Sequence, residues 1–263
     1  MAILIHLIFL TSVSSYQTSG YYLFRGILMR STINERLHFL NYAYFRVDDT
    51  EDSLFPYLFD YENNHNERLP ENLILLAILK AYGDLKRKVP YACNYSDMNR
   101  PENAELRAMK DSFKNEIHSY LVEQLAGFNY QEINITELIS EVSNKGDNFP
   151  GLFRTNERFT IGLAQKWVNM TLKYLWILGA IDGERLHAPI DDSVIAAATL
   201  EGNGLCLGLE FNYQNNRNDS WISWNDITEY ADFQDRIRTV VDNRFHISPI
   251  KWENDAWVAI ENS

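Results

Sequence analysis

The sequence predicts a mainly α-helical protein, a two-lobed helical bundle with at most a minor β element. Apolar residues recur at helical spacing through most of the chain, and 46% hydrophobic residues are enough for a sizeable core. Leu205–Tyr213 is the only good strand candidate. The clearest helix is Glu102–Ala126, whose apolar stripe comprises Leu106, Met109, Phe113, Ile117, Tyr120, Leu121 and Leu125.

Three segments are predicted along the chain. Residues 1–28 carry an apolar run similar to the core of a signal peptide, but without a positive start. We interpret them as an upstream extension before Met29, with a secretory signal as the alternative; the run is too short for a comfortable membrane span. Residues 29–148 form the first helical lobe and residues 149–263 the second, with the boundary in the turn-rich residues 144–148.

Each lobe holds several predicted helices. In the first lobe, Pro70 suits the first turn of a helix that ends before Pro90. The other predicted helices are Ile33–Arg46, Ile135–Val142, Gly162–Leu178, one that starts near Asp191 or Asp192, Asp226–Val241 and Trp252–Ile260.

Charge and cysteine content limit the function classes. With 36 acidic and 24 basic residues, the net charge is −12, which counts against a general nucleic-acid binder. From Lys145 to Trp176, however, five cations and two anions give a local +3. Cys93 and Cys206 form no disulfide framework or zinc motif, so we expect a reducing, cytoplasmic location and no metal or cofactor. The sequence does not predict an oligomeric state.

The segment Gly162–Leu178 is apolar except for one narrow band and Thr171. With Lys166 at 0° on a helical wheel, Lys173, Asn169 and Gln165 fall at about 340°, 300° and 260°. Such a band is expected to face solvent, a cleft or a ligand. Either the lysines extend along a core helix to water, or Lys166 lines a cleft as an amine nucleophile.

The sequence continues with His187-Ala188-Pro189-Ile190-Asp191 before the next helix. The simplest interpretation of Asp191 is a helix N-cap. A metal site with His187 and Asp192 is not expected, because the spacing fits no standard ligand set.

Together, Gly162, Lys166, Asn169 and Pro189-Ile190-Asp191 resemble the helix-hairpin-helix DNA glycosylases, in particular the 8-oxoguanine DNA glycosylase branch. The similarity covers about residues 159–198, with a hairpin expected at Phe159–Lys166. The resemblance implies Lys166 as nucleophile, with Lys173 in reserve, and Asp191 as the catalytic carboxylate. With the basic residues Arg154, Arg158 and Lys173 of the local +3 region, Gly162 of the hairpin and Asn169 are expected to form a DNA contact surface.

A glycosylase must also hold a base outside the stack, so a pocket with aromatic walls is expected. The available tryptophans are Trp167, Trp221, Trp224, Trp252 and Trp257. The resemblance therefore implies a DNA glycosylase, with or without strand-cleaving lyase activity. Two alternatives remain open: a non-enzymatic helical protein-interaction module, and a nucleoside or nucleotide hydrolase, which would suit the acidic charge.

Overall fold

The computed structural model describes residues 69, 71–126, 133–178, 180–199 and 220–254. All of them lie in the compact unit Tyr57–Ser263. Several predictions fall outside the described residues, namely those for residues 1–28, Ile33–Arg46, Leu205–Tyr213 and Trp257.

The fold of the described residues is mainly α-helical, as predicted. The helices are α1 (Glu71–Leu85), α2 (Ala104–Ala126), α3 (Ile135–Gly146), α4 (Ile161–Ile177), α5 (Asp192–Thr199) and α6 (Ile227–Phe245). Short 3₁₀ turns lie at Tyr95–Asp97, Pro101–Asn103 and Trp221–Ser223, and residues 249–254 are helical. Within the described residues, β pairing is limited to one antiparallel bridge between Tyr91 and Phe153.

Local signals explain most helix starts. Asn134 caps α3 by accepting a hydrogen bond from the Glu137 N–H, and Asp226 caps α6 by accepting from the Thr228 N–H. Helix α2 begins two residues later than predicted, because Pro101–Asn103 form a 3₁₀ turn first.

The prediction of a loop at residues 144–148 is wrong for its first three residues, because α3 continues to Gly146. A Cβ at Gly146 would lie 2.5 Å from the Phe159 Cβ, so this glycine allows close packing instead of a turn. The proposed lobe boundary at 148 and 149 stays a prediction.

Helix α4 is the centre of the core. It packs against α1 and α3, and 15 of its 17 residues are buried; the two exceptions are Lys166 and Trp176. The Trp167 indole N–H donates to the Ile78 carbonyl at 3.2 Å and so ties α4 to α1. Around the Phe113 ring, four aromatic centroids lie at 5.1–6.0 Å, those of Phe149, Phe153, Phe159 and Trp167. This packing fixes the helix that carries the polar band.

The hairpin expected at Phe159–Lys166 is not confirmed. Thr160 is the N-cap of α4, and its side chain accepts a hydrogen bond from the Leu163 N–H at 3.2 Å. The residues from Ile161 to Lys166 are therefore already helical. In the part of the chain that the structure describes, no helix is both long enough and apolar enough to cross a membrane.

Candidate active site at Lys166 and Asp191

Lys166 and Asp191 form an ion pair across the site. Their Nζ and Oδ2 atoms are 2.7 Å apart, and the side chains are 12% and 25% exposed. The two groups therefore meet in the structure, whereas their catalytic role stays a prediction. The pair is sheltered, but its edge remains open to solvent.

Asp191 also caps helix α5. Its Oδ1 accepts a hydrogen bond from the Val194 N–H at 3.0 Å, while Oδ2 faces Lys166. Burial raises the pKa of Asp191, but the charge and hydrogen bond of Lys166 and the Val194 N–H outweigh it and leave the pKa below its usual value. The carboxylate is consequently ionised at neutral pH.

The backbone that precedes Asp191 is held by two buried glutamine side chains. Gln165 of α4 donates from Nε2 to the Ile190 carbonyl at 2.8 Å and accepts at Oε1 from the Ile190 N–H at 3.0 Å. Gln234 of α6 binds the Ala188 backbone in the same way: its Nε2 donates to the Ala188 carbonyl at 2.7 Å, and its Oε1 accepts from the Ala188 N–H at 3.1 Å. The exposed fractions of Gln165 and Gln234 are 0% and 1%. The segment therefore has its backbone polar groups satisfied inside the protein.

These contacts determine the hydrogen-bond direction of a longer network as far as the Tyr230 hydroxyl. Because the Ile190 N–H can only donate, Gln165 must present its oxygen, which also accepts from Asn169 Nδ2 at 3.1 Å. Asn169 Nδ2 donates in addition to the Tyr230 hydroxyl at 2.8 Å. The Tyr230 proton is then available to His187 Nδ1, 2.8 Å away.

His187 is the neutral end of this network. Burial and the positive charge of Arg238 lower the pKa of His187 to about 3. A neutral ring that accepts at Nδ1 carries its proton on Nε2. The network therefore runs from α4 through α6 to the start of the segment that ends at Asp191.

Of the polar band, which is predicted to face solvent, a cleft or a ligand, only Lys166 remains partly exposed. Gln165, Asn169 and Lys173 are buried, since each finds its partner inside the protein. Lys173 Nζ lies 2.6 Å from Glu253 Oε2, and the two side chains are 3% and 2% exposed. Lys173 is thus held in a buried ion pair, although its charge still contributes to the low pKa of Asp191.

Gly162 serves packing at the start of α4. Its N–H donates to the Trp224 carbonyl at 3.0 Å, so this amide is not available to bind a DNA phosphate. A Cβ at Gly162 would lie 1.7 Å from the Trp221 carbonyl oxygen. The Thr160 hydroxyl donates to the Ile222 carbonyl at 2.6 Å. The segment Trp221–Trp224 therefore covers the N-terminus of α4.

Arg154 and Arg158 line a groove of about 600 Å³ in the loop between α3 and α4. Arg154 is exposed, and Arg158 pairs with Asp147 at 2.9 Å while its side chain remains 42% exposed. Gly151 at this groove has a φ of 85°, a conformation that favours glycine. Lys166 and Asp191 do not line this groove.

Among the tryptophans that were candidates for the base pocket, the four that the structure describes do not form an open pocket beside the pair. Trp167, Trp221, Trp224 and Trp252 are all at most 8% exposed, so their rings belong to the core. Within the described ranges, no group of His, Cys, Asp and Glu could hold a metal ion. Sequence reasoning did not identify the roles of Gln234, Tyr230 and Glu253 in this site. In the sequence these residues show only helical spacing, which does not indicate the distant residues that they contact.

Comparisons with models of protein families, with curated proteins and with solved structures found no match to this chain.

Proposed function

We propose that this protein is a DNA glycosylase that removes a modified or damaged base, with Lys166 and Asp191 as its catalytic pair. The observation that carries the proposal is the 2.7 Å contact between a lysine amine and an ionised carboxylate at a sheltered, partly open position. Both groups are rigidly supported, which is what positioned catalysis requires.

The chemistry assigns a separate task to each side chain. As the N-glycosidic bond breaks, positive charge develops at C1′ of the sugar, and the Asp191 carboxylate stabilises it. The Lys166 ammonium gives one proton to the departing base nitrogen. The resulting amine forms a bond to C1′, and opening of the sugar ring then yields a Schiff base.

Asp191 and Lys166 also permit a simpler reaction. A water molecule supplies hydroxyl to C1′ and a proton to the base, and no covalent link to the protein forms. Trapping of the covalent species separates the two routes.

DNA contact is assigned to the loop between α3 and α4. Arg154 and Arg158 border one groove there. Arg158 can exchange the solvent-exposed carboxylate of Asp147 for phosphate at little cost. Gly162, Asn169 and Lys173 are left out of this surface because they are buried, and the Gly162 N–H, Asn169 Nδ2 and Lys173 Nζ each have a partner in the interior. Because the chain has a net charge of −12, binding to undamaged DNA is expected to be weak and salt-sensitive.

One observation favours a non-enzymatic alternative, the helical protein-interaction module. Lys166 and Asp191 satisfy each other, and Asp191 caps α5, so both side chains have structural tasks without any substrate. In that case the pair would be part of the scaffold, and the acidic surface would bind a protein partner.

The test is a screen of lesion-bearing oligonucleotides with borohydride present and absent. The wild-type chain is compared with Lys166→Gln, Asp191→Asn and the control Lys114→Gln, which removes a lysine on α2. We expect wild type and control to release a base and to form a covalent adduct, and Lys166→Gln to form none. If Lys166→Gln forms the adduct at wild-type yield, the assignment of Lys166 as the nucleophile is refuted. If the wild-type chain releases no base from any lesion, the interaction module is favoured.

A further inference from the structure

Helix α4 holds the segment before α5 through contacts between neighbouring residues. Gln165 binds the backbone of Ile190, and the next residue of α4, Lys166, binds the side chain of Asp191. Two consecutive residues of one helix therefore hold two consecutive residues of the opposing segment. A shift of the Ile190 backbone must move the Asp191 carboxylate relative to the Lys166 amine.

We propose that Gln165 is a positioning residue, which fixes the Asp191 carboxylate against the Lys166 amine through the Ile190 backbone. Its kinetic consequence rests on the proposed glycosylase function, whereas its effect on the ion pair does not. Gln165 is fully buried and touches neither charged group through its amide, so its influence is transmitted by the peptide that it holds.

The physical reason is the cost of leaving the Ile190 peptide unpaired. Ile190 is fully buried, and each buried backbone group without a partner costs about 1–3 kcal/mol. Without the Gln165 amide, the segment must move until these groups reach water. Such movement carries Asp191 with it, and misplacement by about 1 Å lowers a catalytic rate by as much as about a hundredfold.

Gln234 provides a matched control. It is buried like Gln165 and makes the same pair of hydrogen bonds to the backbone of one residue. Its backbone partner, however, is Ala188, three residues before Asp191. Gln165→Met and Gln234→Met therefore remove equivalent hydrogen bonds at different distances from the carboxylate.

The experiment measures the pKa of the Asp191 carboxyl by NMR titration of the full chain, with Asp191→Asn to identify the resonance. We expect the pKa to rise toward its ordinary value in Gln165→Met and to remain at the wild-type value in Gln234→Met. Because this readout needs no substrate, it decides the positioning role even if no base is released by the wild type.

Where base release is detected, Gln165→Met should lower kcat by about 10–100-fold with KM unchanged, and Gln234→Met by less than about threefold. If Gln165→Met does not fold, Gln165→Ser is the second variant: its side chain is too short to hold the Ile190 peptide, a water molecule can occupy the vacated space, and the pKa of Asp191 should rise by less than in Gln165→Met but by more than in Gln234→Met. Equal pKa shifts in the Gln165 and Gln234 variants, or no shift in either, would overturn the proposal.

Discussion

Replacement of Gly162 by alanine tests how the start of α4 is packed. The added Cβ would lie 1.7 Å from the carbonyl oxygen of Trp221 and 2.8 Å from its carbonyl carbon. Both are backbone atoms, so no flexible side chain can move aside. The segment Trp221–Trp224 must shift, and this loosens the hydrogen bonds that it receives from Thr160 and Gly162.

The expected loss for Gly162→Ala is about 3 kcal/mol in the free energy of unfolding. Forcing an extra carbon into a packed site costs about 1–3 kcal/mol. Each of the two hydrogen bonds contributes about 1 kcal/mol, and the better helix propensity of alanine returns about 1 kcal/mol. In a chain of this size, such a loss lowers Tm by about 6–12 °C.

Gly83→Ala is the control for Gly162→Ala, measured by thermal unfolding of the full chain under circular dichroism. Gly83 lies in α1, and a Cβ there meets nothing within 4 Å. This variant should gain about 0.5–1 kcal/mol and melt slightly above wild type. If Gly162→Ala melts at or above wild type, the segment Trp221–Trp224 does not cover the start of α4, and Gly162 regains its predicted role in binding DNA.

Three further changes test separate contacts. Lys173→Met should cost about 3–5 kcal/mol in urea unfolding by leaving buried Glu253 unpaired, whereas Lys173→Met with Glu253→Leu should return to within about 1 kcal/mol of wild type; a double variant as unstable as the single one would contradict this. Burial and the Lys114 charge lower the pKa of His118 to about 4. Because the unfolded chain binds this proton near pH 6.5, stability should fall as pH falls from about 6.5 to 4. His118→Phe should reduce the difference in urea unfolding between pH 7 and pH 5, and an unchanged difference would refute the assignment. Asn134→Ala should cost about 1 kcal/mol in the same assay by removing the cap of α3, and wild-type stability would argue against that cap.

The helices were predictable because their signals are local. The apolar residues of α1 that recur at helical spacing, Leu73, Ile74, Ala77 and Ile78, are all buried. Asp226, placed at the start of a predicted helix, is the observed cap of α6. The errors lie where a residue has two local uses, as at Gly146, which is compatible with a turn or with close packing and is used here for packing.

The site was only partly predictable, because a polar residue on an apolar helix indicates a need for a partner without identifying it. Lys166 finds Asp191, a neighbour of the next predicted helix start, and this pairing followed from motif order. Lys173 finds Glu253, which lies 80 residues further along the chain and carries no motif. Gln165 is satisfied by the Ile190 backbone, and Asn169 donates from Nδ2 to Gln165 and Tyr230 while its Oδ1 has no partner among the described residues; these contacts depend on tertiary packing.

The ion pair between Lys166 and Asp191 is poorly explained by stability alone. A partly buried pair gains little after its desolvation is counted, and well-packed apolar residues in its place are often neutral or stabilising. Yet α4 buries 15 of its 17 residues, and Lys166 is one of the two that it leaves accessible. Beneath it, Gln165 and Gln234 satisfy the backbone that carries Asp191. The proposed function accounts for the pair by chemistry at its open edge, and a combined Lys166→Met and Asp191→Leu variant tests this proposal. Wild-type stability together with loss of the base release that the wild-type chain shows would agree with a catalytic pair, whereas a loss of more than about 3 kcal/mol would assign the pair to the scaffold.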